Sequence, residues 1–212
     1  MPQKIIPLVS GEHYHVFNRG VDKRNVFLDK EDYLRFYQSL HLFNSIESIV
    51  NFDHALVKSK SINIDNNQEK LVEIEAYSLI PNHYHLIIKQ LVDGGISEFM
   101  QRIGTGYTSY FNQKNERTGA LFQGRYKKIH ISTDEQYNYL FAYVNENHFV
   151  HNLKFNREIC HTSSLHFQGL ATSKIIKKNN EDFVYKLNDN INLAISIFQK
   201  RKSRKVDKEL FE

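Results

Sequence analysis

The chain has 212 residues, with 28 Lys and Arg against 24 Asp and Glu, a formal charge of +4 and a sequence pI of about 9.0. Hydrophobic residues at 41% and aromatics at 13% exclude a disordered chain and leave room for one domain with a sizeable core. No run of 18 apolar residues is present, which excludes a membrane-spanning helix, and a single cysteine, Cys160, excludes an internal disulfide and a multi-cysteine zinc site. The opening Met-Pro-Gln-Lys-Ile-Ile-Pro lacks a secretory signal, so a cytoplasmic protein is expected.

The first strand is expected over residues 12 to 18, Glu-His-Tyr-His-Val-Phe-Asn, closed by Arg19-Gly20. It carries one His-x-His pair, His13 and His15. From Asp29 to Phe43, Tyr33, Phe36, Tyr37, Leu40 and Phe43 recur at helical spacing, and this aromatic stripe reads as core. Residues 51 to 70 are polar and read as a long surface loop or hairpin extension. Val72 to Ser78 alternates Glu73 and Glu75 with apolar residues and reads as a strand.

A Pro81-Asn82 bend then leads into a second His-x-His within an apolar, β-branched stretch. On a strand, His83 and His85 share one face, roughly 6.6 Å apart along the backbone, while Tyr84 points to the other. Two neutral imidazoles on a rigid strand make two arms of a metal site. A pair of histidines on a half-buried sheet face has the same pattern, and sequence alone does not choose between His13-His15 and His83-His85.

Gly94-Gly95 breaks the chain before a helix over Ile96 to Asn112, with Phe99, Ile103 and Tyr107 or Tyr110 on its inner side. Gly104 and Gly106 weaken its middle or permit a close backbone approach. After Thr118-Gly119, the strand-like segment that follows is basic. Arg117, Arg125, Lys127 and Lys128 cluster with Tyr126, and Lys200, Arg201, Lys202, Arg204 and Lys205 lie near the end. Cations interleaved with aromatics suit a nucleic-acid strand, although a solvated basic face has the same composition. Ser132 to Asp134 supplies an N-cap for a helix from Glu135 to about Asn147, striped by Tyr139, Leu140, Tyr143 and Val144. A last helix is expected around residues 191 to 198, followed by the basic tail.

The order strand, helix, strand, strand, helix, strand, helix predicts an α+β fold: a ferredoxin-like or RRM-like antiparallel sheet with helices packed on one face. The open face would carry His83 and His85. Residues 1–160 are expected to form this domain, and residues 161–212 a mostly helical C-terminal extension with the basic tail.

Tyr143 and Asn147, four apart on a helix, lie on one side of it. A tyrosine can act as a covalent nucleophile but is weak at neutral pH, with a free pKa of about 10, so it needs an electrophile activated by a divalent ion. Two imidazoles, an amide oxygen, a substrate phosphate and water suit Mg2+ or Mn2+, and zinc stays open although no third His, Asp or Glu at obvious spacing completes a zinc site. Core packing for Tyr143 and a helix end at Asn147 are the plainer readings of the same residues.

Four segments together resemble a known family. They are residues 12–20 (Glu-His-Tyr-His-Val-Phe-Asn-Arg-Gly), 80–87 (Ile-Pro-Asn-His-Tyr-His-Leu-Ile), 119–127 (Gly-Ala-Leu-Phe-Gln-Gly-Arg-Tyr-Lys) and 143–147 (Tyr-Val-Asn-Glu-Asn). In order and spacing, from about residue 10 to 155, the chain is similar to the single-tyrosine HUH transposases, and within them to the REP-associated tyrosine transposases. The resemblance implies that His83, His85 and Asn147 bind Mg2+ or Mn2+ and that Tyr143 is the nucleophile. It also implies cleavage and rejoining of single-stranded DNA next to hairpins through a 5′-phosphotyrosine. His13 and His15 would then be structural or DNA-facing.

Arg19, Arg125, Lys127 and Lys128 are the DNA-contact candidates. The expected partner is a single-stranded DNA hairpin, with no membrane association, and the protein would be a nucleoid-associated monomer or homodimer. The alternative is a catalytically inactive single-stranded DNA or RNA hairpin-binding protein. Two departures from the family pattern are Asn147-His148, where Asn-Pro is usual, and the longer polar segment at 51–70.

Overall fold

The computed structural model describes residues 7–47, 69–151 and 161–176, together with 192, 193 and 196. Strand β1 spans His13–Arg19 and helix α1 Lys30–Leu42; the hairpin strands are β2, Val72–Ile80, and β3, His83–Gln90. Helix α2 spans Gly95–Lys114, β4 Lys127–Ile131, α3 Asp134–Asn145 and α4 Asn147–Val150. The two-residue strand β5, His161–Thr162, and the short helix α5, Ser164–Phe167, follow. The sheet runs β4-β1-β3-β2-β5, with every neighbouring pair antiparallel. The first six elements form the expected split β-α-β pattern, and it puts β1 and β3, the two histidine strands, in the middle.

Local chemistry accounts for the element ends. Asp29 Oδ1 accepts the Asp32 backbone N–H at the start of α1, and Thr133 Oγ1 accepts that of Gln136 at the start of α3. Caps of this kind contribute about 1 kcal/mol each. Pro81-Asn82 closes the β2–β3 hairpin in two residues, pairing Ile80 with His83. Within α2, a Cβ on Gly106 would lie 2.9 Å from the Phe43 ring, so glycine there lets α2 approach the end of α1.

Residue alternation sorts the sheet into two unlike faces. Tyr14, Val16, Tyr84, Leu86 and Ile88 turn towards α1 and α2, where Phe36 packs 5.0 Å from both Tyr84 and Tyr107, ring centre to ring centre. In this layer Asp32 is fully buried, and its carboxylate accepts from the Leu28 N–H, the Tyr110 hydroxyl and the Lys114 ammonium. The other face carries His13, His15, Phe17 and Arg19 from β1, paired with Lys89, Ile87, His85 and His83 of β3. A bulge between Ile74 and Ala76 of β2 frees Glu75 to meet His13 Nε2 at 3.1 Å.

The histidine face is not bare. Helix α3 lies across it, and residues 140–147 are buried on every side because the segment from 161 to 167 covers the helix from outside. Phe167 packs 5.1 Å from Phe141, Ser163 Oγ donates to Asn145 Oδ1 at 2.6 Å, and Ser164 Oγ donates to Glu146 Oε1 at 2.8 Å. Residues 161–176, assigned from sequence to a C-terminal extension, thus extend the sheet by β5 and by a bridge from Ile176 to Ile74. Asn192, Leu193 and Ser196 are helical. The polar stretch 51–68, Cys160 and the basic tail lie outside the described residues.

Candidate metal centre and nucleic-acid interface

The tight hairpin fixes where His83 begins β3, and Asn82 in the turn fixes its ring. His83 Nδ1 lies 2.6 Å from Asn82 Oδ1, while Asn82 Nδ2 donates to the Lys23 carbonyl at 3.3 Å. An amide oxygen only accepts, so the imidazole hydrogen sits on Nδ1 and the Nε2 lone pair is left to bind a cation. Burial, the nearby His151 and the Arg19 charge hold the His83 pKa well below the ordinary histidine value, so the ring is neutral at pH 7.

His85 sits two residues further along the same face, its ring centre 5.0 Å from that of His83. Its Nδ1 lies 2.8 Å from His15 Nε2, and the two rings are 15° from parallel. Burial lowers the His15 pKa to about 3, so this ring also is neutral.

Helix α3 brings Tyr143 over this pair. Its ring stands edge-on to His85 at 5.4 Å and to His15 at 6.2 Å, and the residue is completely buried. Asn147 is not on the same continuous helix. The backbone at Glu146 (φ −103°, ψ 22°) ends α3, and Asn147 opens α4. It is nonetheless fully buried beside His83, whose protonated ring its amide would stabilise, yet neither amide atom completes a hydrogen bond. A buried amide left in this state is costly unless something at the site engages it.

Among the described residues, no three His, Cys, Asp or Glu side chains converge to hold a metal ion. The side chains gathered at this end of the histidine face that could serve as donors are the His83 and His85 imidazoles and the Asn147 amide. Such a set would fit a hard divalent cation that keeps room for water and phosphate oxygen, and the Asn147 amide, buried without a hydrogen bond, is compatible with that.

A cavity of about 170 Å³ opens at the Arg19 end of the histidine face, lined in part by Phe17, Arg19, Lys23, His83, His85 and Lys127. Lys127 Nζ stands 5.8 Å from the centre of the Phe17 ring. The far wall is the loop after α2, drawn in by Asn18 Nδ2 to the Gly124 carbonyl (3.1 Å) and by Gln123 N–H to the Arg19 carbonyl (2.8 Å). Neither Tyr143 nor Asn147 lines this cavity.

Residues 9–147 match the family model described as transposase, IS200 like. The chain belongs to the IS200-like transposase family. No curated protein matches the chain. Among solved structures it is similar to a REP-associated tyrosine transposase bound to a REP hairpin, with a TM-score of 0.46 and 18% identity, covering 73% of this chain and 76% of that one.

In this IS200-like transposase the sequence-derived residues fall into two groups. Gathered on the histidine face are His83, His85, Tyr143 and Asn147, with Arg19 and Lys127 at the cavity beside them. Arg125 instead lines a second groove of about 510 Å³ between α2 and the 120–126 loop, floored by Tyr84, Met100 and Phe122. Lys128 pairs with Val16 and so lies on the α1–α2 face, near Arg125. Sequence reasoning missed Asn82 and His151. Asn82 reads from sequence as a turn residue, and its place immediately before His83 is the signal; His151, 4.6 Å from the His83 ring, has none.

Proposed function

We propose that the protein cleaves and rejoins single-stranded DNA next to a hairpin, with Tyr143 as nucleophile and His83, His85 and Asn147 holding Mg2+ or Mn2+. The observation that carries this reading is the Tyr143 phenol packed edge-on against His85, on the same side of the sheet as His83 and the buried Asn147 amide. The bound cation would polarise the scissile phosphate as a Lewis acid. Tyr143 Oη attacks phosphorus, forming a tyrosine–phosphate ester as the bond from phosphorus to the 3′ oxygen breaks. The phenol gives up its proton and the 3′ oxygen takes one, leaving a free 3′ hydroxyl. A second 3′ hydroxyl reverses these steps and rejoins the strand. Arg19 and Lys127 at the cavity would neutralise phosphate charge along the approach, and Arg125 and Lys128, at the second groove on the other side of the sheet, would meet phosphates away from the cleaved bond.

Because Tyr143 is completely buried and absent from the cavity wall, α3 must draw back from the sheet before the phenol reaches a phosphate. The same burial is the one observation on the side of a DNA binder without chemistry. One experiment separates the two: incubate the protein with hairpin-bearing oligonucleotides and Mg2+ or Mn2+, then look for a denaturation-resistant protein–DNA adduct. The transposase reading expects an adduct that disappears in Tyr143→Phe. It also expects His83→Ala to lose cleavage while still shifting the oligonucleotide in a gel. Hairpin binding without an adduct in any divalent metal would leave the binder.

A further inference from the structure

We propose that His15 is a positioning residue for His85, accepting the hydrogen on His85 Nδ1 so that His85 offers its Nε2 lone pair to the cation. The inference rests on the metal reading above and adds a residue to it. His15 Nε2 and His85 Nδ1 are 2.8 Å apart, with both residues buried to 1% exposure or less. Two neutral imidazoles at that distance share one hydrogen, which can sit on either ring. With the hydrogen on His15 Nε2, His85 accepts at Nδ1 and must carry its own hydrogen on Nε2, where it blocks a metal. With the hydrogen on His85 Nδ1, Nε2 is a ligand. Only the second placement serves a metal site.

His83 has no such choice, because Asn82 Oδ1 can only accept and keys the ring permanently. His15 Nδ1 is buried with no hydrogen-bond partner, so the surroundings of His15 do not lock its own hydrogen in place. The cation arriving at His85 Nε2 therefore selects the arrangement. The ring stack that keeps the pair in register consists of Phe17, 5.0 Å from His15 and 5.4 Å from His85, with Tyr143 standing edge-on to both histidines. Partners of this kind, behind a metal-binding histidine, typically carry 10–100-fold in metal affinity.

The test has two readouts that do not depend on DNA cleavage. Titrating Mn2+ into the full-length protein, His15→Phe should bind about 10–100-fold more weakly than wild type. His15→Gln, whose amide oxygen can accept from His85 Nδ1, should recover most of that loss; a merely space-filling role predicts the opposite order. Independently of any variant, 15N spectra of the histidine rings in Mg2+-loaded wild type should show His85 protonated at Nδ1 and coupled across the hydrogen bond to His15 Nε2. Wild-type uptake with equal affinity in His15→Phe, or His85 protonated at Nε2 in the loaded protein, overturns this inference alone. No uptake of either metal by wild type overturns it together with the metal reading.

Discussion

Asp32 and Asn147 are both completely buried, on opposite faces of the same sheet. Asp32 accepts from three donors, whereas neither atom of the Asn147 amide completes a hydrogen bond. The contrast extends beyond these two residues. Among the described residues, His15 Nδ1, Glu75 Oε2, Ser78 Oγ and Thr162 Oγ1 on the histidine face are also buried without a hydrogen bond, against Gln90 Nε2 and His161 Nε2 on the α1–α2 side. One face is filled by packed rings and a satisfied carboxylate, and the other keeps several buried polar atoms that make no hydrogen bond among the described residues. Unsatisfied polar atoms normally cost stability, so their concentration around two imidazoles and a phenol is what the proposed metal and DNA site would account for.

Loss of the Tyr143 hydroxyl should be felt in chemistry and hardly at all in folding. Tyr143→Phe keeps the ring against His85 and removes only the oxygen, so adduct formation should fall by at least about 1000-fold, more than 4 kcal/mol of transition-state stabilisation. Unfolding in urea should change by less than about 1 kcal/mol. A variant that still formed the adduct would move the nucleophile elsewhere among the tyrosines.

The opposite face should behave in reverse. Phe36, with no exposed surface and ring contacts to Phe27, Tyr84 and Tyr107, should lose about 3–5 kcal/mol of stability on truncation to alanine. Hairpin affinity per folded molecule should not change. Weakened affinity without destabilisation in Phe36→Ala would mean that the two faces are not separable in the way the burial pattern says.

Much of this division can be read in the sequence, because strand alternation is local. His83 and His85 had to share a face opposite Tyr84, and the aromatic stripe of α1 had to be core; both follow from spacing alone. The choice between the two His-x-His pairs was not local. His15 lies in β1 and His85 in β3, and only the register that pairs Phe17 with His85 brings their rings together. The break at Glu146 was hidden for a similar reason. Helical spacing continues smoothly from Tyr143 to Asn147, and the bend accompanies a tertiary contact, Glu146 with Ser164, eighteen residues away. The covering of the histidine face by α3 depends on β5 and Phe167, from a segment whose polar composition gave no periodicity to read.

Asn147→Leu should act more weakly on stability than Phe36→Ala, and with the opposite sign. Replacing an amide whose oxygen and nitrogen are both buried without hydrogen bonds by an apolar side chain of similar size should stabilise the fold by about 1 kcal/mol. The same change removes a proposed ligand, so Mn2+ uptake should weaken as the urea midpoint rises. A variant that was both less stable and still competent for metal would show that the Asn147 amide has a structural partner and no ligand role.

The smallest expected effect belongs to the folding face and tests whether its charges are there for stability alone. Asp29 caps α1, and both its carboxylate oxygens accept from Lys114 Nζ, at 2.8 and 2.7 Å. The Lys114 bonds, with the Asp32 backbone N–H, hold the Asp29 carboxyl below the ordinary aspartate value. A carboxyl whose folded pKa is depressed contributes stability above its unfolded pKa of about 3.9, and that contribution is lost as pH falls through the lower folded value. Its side chain is 51% exposed, so solvent screening keeps the ion-pair part below about 1 kcal/mol. The urea midpoints of wild type and Asp29→Asn should therefore differ at pH 7, less so in high salt, and converge as pH drops below about 4. A difference that persisted unchanged into acid would show that the charge of Asp29 does not carry its contribution, since asparagine keeps the capping acceptor. Mn2+ affinity at pH 7 should be the same in both proteins, because Asp29 and Lys114 act on the side of the sheet away from His83 and His85.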